Sequence, residues 1–184
     1  MYRTGNYCAF YVADDTLETN LGIFASSDIR YYEMLKAWKE NDSSFSFVNS
    51  HDKTYSVKDD SDWEKTLKPR LHQRLDASKN IILILTSTTK NSRALREEIE
   101  YGCNTLGLPL IITYPELSSS EIVTHDSRFS LKVQKLWEAL PALKTAFAKV
   151  PSLHIPFNKK SISRALNNSS FTVQSPTLIK KYIE

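Results

Sequence analysis

Five consecutive residues, Ile81-Ile82-Leu83-Ile84-Leu85, are all large and apolar, and four of them precede a Leu-Thr-Ser step that ends the run. A strand with one wet face alternates apolar and polar side chains. A short β-branched run with no alternation has to be covered on both faces, which is the mark of a parallel sheet between layers of helices. Residues 108–114 form a second such run, and shorter apolar runs at 7–12 and 153–157 read as a first and a last strand. Residues 44–48 alternate, with Phe45 and Phe47 on one side, and predict a second, more exposed strand.

Helical patterns fill the intervals. Asp28 or Ser27 can cap a helix to about residue 40, with Tyr31, Leu35 and Trp38 on one face. Ser61-Asp62-Trp63-Glu64 has the capping-box pattern, and Trp63, Leu67, Leu71 and Leu75 recur every fourth residue. Pro69 either kinks that helix or delays its start to near Thr66. Residues 92–106 predict a helix with Gly107 as its C-cap, 130–150 a helical region broken at Pro141, and 158–167 a basic helix capped by Asn158. Five strands alternating with helices predict a flavodoxin-like, doubly wound α/β fold of order 2-1-3-4-5, with helices on both faces. A single domain is expected over 1–168, followed by a polar tail over 169–184.

Composition narrows the function. Of 184 residues, only Gly5, Gly22, Gly102 and Gly107 are glycine, where average usage of about 7% gives roughly 13. None forms G-x-G, so the Rossmann fingerprint and the Walker A loop, which need clustered glycines against a phosphate, are both absent. A net charge of +3 from 24 basic and 21 acidic residues is too even to point to nucleic acid. No apolar run reaches the length of a membrane span, and residues 1–11 show no signal-peptide pattern, so a cytoplasmic location away from membranes is expected. Cys8 and Cys103 sit in apolar patterns and read as buried free thiols rather than a pair. His51, His72, His125 and His154 have no zinc-binding spacing, and no metal is expected.

In a doubly wound sheet, ligands bind at the carboxyl ends of the strands near the switch point. That places a site among residues 13–27, 49–60, 86–92 and the first turns of the helix after Ser92. This helix carries Glu97, Glu98 and Glu100. With about 100° per residue, Leu95, Ile99, Gly102, Cys103 and Leu106 define its buried stripe. Glu97 then points to water, whereas Glu98 lies about 85° from the stripe's centre, at the core's edge and facing the crevice. A carboxylate so placed suits catalysis, or else pairs with Arg93 or Arg96.

Asp28-Ile29-Arg30-Tyr31-Tyr32 with Leu35 and Trp38, then Phe45-Ser46-Phe47, then residues 81–87 leading into 91–99, resemble the TIR-like domain of Thoeris antiphage defence proteins. The resemblance runs from about residue 7 to 116 and implies the same five-stranded arrangement. The catalytic glutamate of the family's Trp-x-x-x-Glu pattern falls on Glu98, and its tryptophan position is Ala94 here. The family's small and aromatic residues near the first strand's end correspond to Phe10, Tyr11 and Ala13. The resemblance implies NAD as a substrate rather than a cofactor, with the nicotinamide–ribose bond cleaved. Nicotinamide leaves a cationic pyridinium as a neutral molecule and needs no general acid, unlike the alkoxide of two-carboxylate glycosidases. One ionised carboxylate against an oxocarbenium-like ribose suffices. Capture by water gives ADP-ribose. Capture by the adenine of the same molecule gives a cyclic nucleotide, the outcome the resemblance favours, together with a phage-derived trigger, a signal-receiving effector protein and self-association.

For such a substrate Phe10 and Tyr11 offer aromatic faces or belong to the core; Asp14 and Asp15 hold ribose hydroxyls or begin a loop. Lys53 or His51 meets the diphosphate or is solvated. Ser87 and Asn91 reach ribose hydroxyls, and Ser92 caps the helix. A non-catalytic TIR-like interaction module and a nucleoside deoxyribosyltransferase-like N-glycosidase remain alternatives. A phosphorelay receiver does not, because residues 85–89 hold no aspartate at the strand's end.

Overall fold

The apolar run is the second of a set of parallel strands. The computed structural model describes residues 3–12, 28–51 and 62–173, and the backbone of 181–183. Strands β1 (Gly5–Ala9), β2 (Ser78–Ile84), β3 (Leu110–Tyr114) and β4 (Ser152–Pro156) lie side by side in chain order, and the short β5 (Lys181–Ile183) adds to β4. All pairings are parallel, with Tyr7 beside Ile81, Ile81 beside Leu110, and Leu110 beside Ser152. The helices are α1 (Ile29–Asn41), α2 (Lys68–Asp76), α3 (Arg93–Ile99), α4 (Ser119–Ile122), α5 (Leu131–Glu138), α6 (Ala142–Ala146) and α7 (Lys159–Leu166).

Successive strand residues point to opposite faces, so a run without alternation feeds two cores. Ile81, Leu83 and Leu85 join Tyr7, Leu71, Leu75, Leu95, Ile99 and Leu143 on the face covered by α2, α3 and α6. Ile82 and Ile84 join Cys8, Leu35, Phe45, Phe47, Ile162 and Ala165 on the face covered by α1 and α7. Both cysteines are free and buried.

The expected strand at 44–48 is a correction. Phe45 and Phe47 do share a side, yet both are only 1% exposed, in the α1 and α7 core. The segment meets β1 through one parallel bridge, Asn6 to Asn49. The Val48 N–H goes to the Asn6 side chain (2.8 Å), so no regular ladder can propagate. At the opposite edge, β5 comes from residues the sequence placed in a polar tail.

Two local patterns resolve differently from expectation. A π-helical turn, Trp63–Leu67, precedes α2 and is capped by Asp62, whose Oδ1 accepts from the Lys65 N–H at 2.8 Å. Pro69 then stands in the first turn of α2, directly after the π-helical turn. Asp28 flanks α1 without capping it through its side chain. Its buried carboxylate instead accepts from Thr86 Oγ1 (2.7 Å) and Thr89 Oγ1 (3.2 Å), tying α1 to the loop after β2. Past Ile99, α3 continues as a π-helical segment, Glu100–Thr105, and Gly107 ends it at φ +66°, in the left-handed region.

Candidate active site

β1 and β2 are neighbours whose following helices pass to opposite faces, α1 to one and α3 to the other. Beside the carboxyl end of β1 this leaves a cavity of about 590 Å³. β1 contributes Tyr7 and Cys8, α3 contributes Arg93, Ala94 and Glu98, and α2 contributes Arg70 and Arg74, with Phe10, His51 and Trp63 completing its wall.

Glu98 is half-buried, with its carboxylate turned inward. The Tyr7 hydroxyl donates to Oε1 at 2.8 Å. Oε2 is shielded from solvent and has no hydrogen-bond partner among the described residues. Buried carboxylate oxygens are nearly always paired, so Oε2 calls for a partner beyond the described residues. Burial pushes the Glu98 carboxyl up from its ordinary 4.5 to about 8, against the opposing pull of the Tyr7 hydrogen bond and the Arg74 charge. Burial likewise holds the Tyr7 phenol well above 10, reinforced by Glu98, so Tyr7 remains a donor throughout the physiological range.

His51 forms the opposite wall. Its Nε2 lies 3.1 Å from the Cys8 carbonyl oxygen, which only accepts, so Nε2 carries the proton. Burial, aided by the Arg74 charge, lowers this imidazole to about 4, and the ring is neutral at physiological pH. It packs against Tyr7 (4.6 Å between centroids) and Tyr32 (5.6 Å), and Phe10 stacks on Tyr32 at 5.3 Å. Arg93 lies 4.6 Å above the Trp63 ring and donates to Glu64 at 2.7 Å.

Of the sequence-predicted residues, Glu98, Phe10 and His51 come together here, and Ser92 lines the same cavity while capping α3 through the Leu95 N–H (3.2 Å). Ser87 instead donates from its N–H (2.8 Å) and Oγ (3.0 Å) to Glu116. Tyr11 packs on the α2 and α3 core, and Asn91 is exposed; neither is among the lining residues. Asp14, Asp15 and Lys53 lie outside the described residues. Glu97, expected in water, is corrected: it pairs with His72 (2.7 Å) and Lys68 (3.5 Å) of α2. The position of the absent family tryptophan, Ala94, opens onto the cavity, and the indole there is Trp63 from a different element.

Sequence reasoning missed Tyr7, Trp63, Arg70 and Arg74. Tyr7 and Trp63 were absorbed into apolar patterns. The arginines did leave a signal, since a spacing of four puts both on one face of α2 beside the Leu71 and Leu75 stripe.

The fold is that of a parallel α/β domain with helices on both faces of its sheet, and a cavity lined by a buried carboxyl lies beside the first strand. The family model for the TIR-like domain of the Thoeris protein ThsB matches residues 7–120, from β1 through the cavity-lining helices to the start of α4. The chain belongs to that family, which associates it with Thoeris antiphage defence. Among the described residues, no helix is long and apolar enough to cross a membrane.

Proposed function

We propose that the cavity binds NAD and that Glu98 promotes cleavage of its nicotinamide–ribose bond, yielding a cyclic ADP-ribose-type nucleotide that acts on an effector protein. The observation that carries this reading is Glu98 lining a cavity of about 590 Å³ with a carboxyl whose Oε2 is buried and has no partner among the described residues. A carboxyl with its pKa near 8 is neutral in the empty cavity at pH 7. A cationic pyridinium beside it favours the anion, and the proton passes to solvent as substrate binds. The anion then faces the positive charge that develops on the ribose as neutral nicotinamide departs. Tyr7 holds Oε1, which leaves Oε2 for the sugar.

Glu98→Gln keeps the shape and the Tyr7 hydrogen bond but supplies no negative charge. Nicotinamide release from NAD, followed by mass spectrometry with and without lysate of phage-infected cells, should drop by at least about a hundredfold, the scale of a lost electrostatic group. Full turnover by this variant under conditions where the wild type is active would overturn the assignment.

A further inference from the structure

The cavity lined by Glu98 is also lined by three arginines, Arg70 and Arg74 from α2 and Arg93 from α3. Arg93 is partly neutralised at the rim by Glu64. Among the described residues no ion pair and no side-chain hydrogen bond involves Arg74, whose backbone carbonyl accepts from Ser78 Oγ at 2.7 Å. Its charge nevertheless reaches Tyr7, His51 and Glu98, lowering the proton affinity of each, which puts it in electrostatic contact with both walls. Three arginines lining one cavity, with Arg74 unpaired among the described residues, call for an anion.

We propose that Arg74, flanked by Arg70 and Arg93, is a diphosphate-binding subsite that positions the substrate's ribose against Glu98. The proposal rests on the NAD reading and adds the anchor that the sequence assigned to Lys53 or His51. His51 is neutral and its Nε2 is committed to Cys8, so it supplies no cation. A guanidinium donates in a planar fork that matches two phosphate oxygens, and it needs no glycine to bring backbone amides close. The geometry also fits one molecule. In a dinucleotide the same ribose bears nicotinamide at one carbon and the diphosphate at another, so a carboxylate and a guanidinium in one cavity address the two ends of a single sugar.

Calorimetric titration with ADP, inorganic pyrophosphate and adenosine tests this without requiring turnover. The wild type should bind ADP and pyrophosphate. Arg74→Gln should weaken both by about ten- to a hundredfold, the effect of a lost charge-assisted contact, and Arg74→Lys should recover part of the loss. Adenosine affinity should be the same in all three proteins. The melting temperature of Arg74→Gln should be unchanged or higher, because the side chain makes no hydrogen bond or ion pair among the described residues. Equal ADP affinity in wild type and Arg74→Gln, or no ADP binding by the wild type, overturns the subsite. Where turnover is observed, the variant should lose kcat/KM for NAD and keep it for nicotinamide riboside, which has no diphosphate; equal losses overturn the positioning role. Failure of the NAD reading looks different, because Glu98→Gln would retain turnover while ADP binding still depended on Arg74.

Discussion

Glu98 is costly where it stands. Its oxygens are withdrawn from water, one bonded to Tyr7 and one to nothing described, and the strain appears as a carboxyl pKa near 8. The folded protein therefore keeps a proton that the unfolded chain has released between about pH 4.5 and 8. Where the native state binds the extra proton, stability falls as pH rises. The penalty is absent below the unfolded value, grows through that window and is complete above about 8. Glu98→Gln has no proton to lose, so it should exceed the wild type in stability by on the order of 2–4 kcal/mol at pH 9 and by little at pH 5. Chemical denaturation at the two pH values measures the difference, and a gap that does not vary with pH would show that the carboxyl is not desolvated. This residue was legible in the sequence because the helical angle alone puts it at the core's edge. Its partners were not. Tyr7 reads as one more apolar strand residue until β1 is laid beside α3, and Arg74 reads as a solvated cation until α2 is turned toward the cavity.

At the scale of elements, the strands announce themselves by how they are covered. Ile81 to Leu85 had only one reading, since both cores needed it. Phe45 and Phe47 told the truth about burial but not about hydrogen bonding, because a side-chain amide took the Val48 N–H that a ladder requires. The helix bearing Glu98 is held in place farther along, where its π-helical continuation passes close to β2. A Cβ added at Gly102 would collide with Ile81 Cδ1 and come within 3.3 Å of Leu75 Cδ2. Ile81 and Leu75 are wholly buried, so their side-chain ends must shift within a packed core. Gly102→Ala should thus cost about 1–3 kcal/mol through overpacking, in spite of alanine's better helix propensity of about 1 kcal/mol. A lowered melting temperature is the expected readout. An equal or higher one would show that the segment can move off β2 freely.

Across the whole molecule, a chain of buried amides joins parts that the sequence keeps far apart. Asn6 on β1 donates to Asn80 Oδ1 on β2 at 2.8 Å and accepts from the Val48 N–H at 2.8 Å. Asn80 in turn donates to the Phe171 carbonyl at 2.8 Å, beyond α7. The Asn6 backbone completes the link, its N–H donating to the Val48 carbonyl and its carbonyl accepting from the Ser50 N–H. Three residues along that strip is His51, a wall of the cavity. Removing the Asn6 side chain leaves Asn80 Oδ1 buried without its donor and the part-buried Val48 N–H without its acceptor, and a buried unsatisfied group costs about 1–3 kcal/mol. Asn6→Ala should therefore destabilise the protein by roughly 2–4 kcal/mol. The damage should concentrate on one side of the sheet: the Val48 and Ser50 amides should exchange hydrogen faster relative to global unfolding, while amides of β3 follow global stability alone. ADP affinity should weaken with them as the His51 wall loosens. If Val48 and Ser50 kept their relative protection, or if ADP bound Asn6→Ala as tightly as wild type, the edge segment would be held by Phe45 and Phe47 packing, and the amide chain would have no bearing on the cavity.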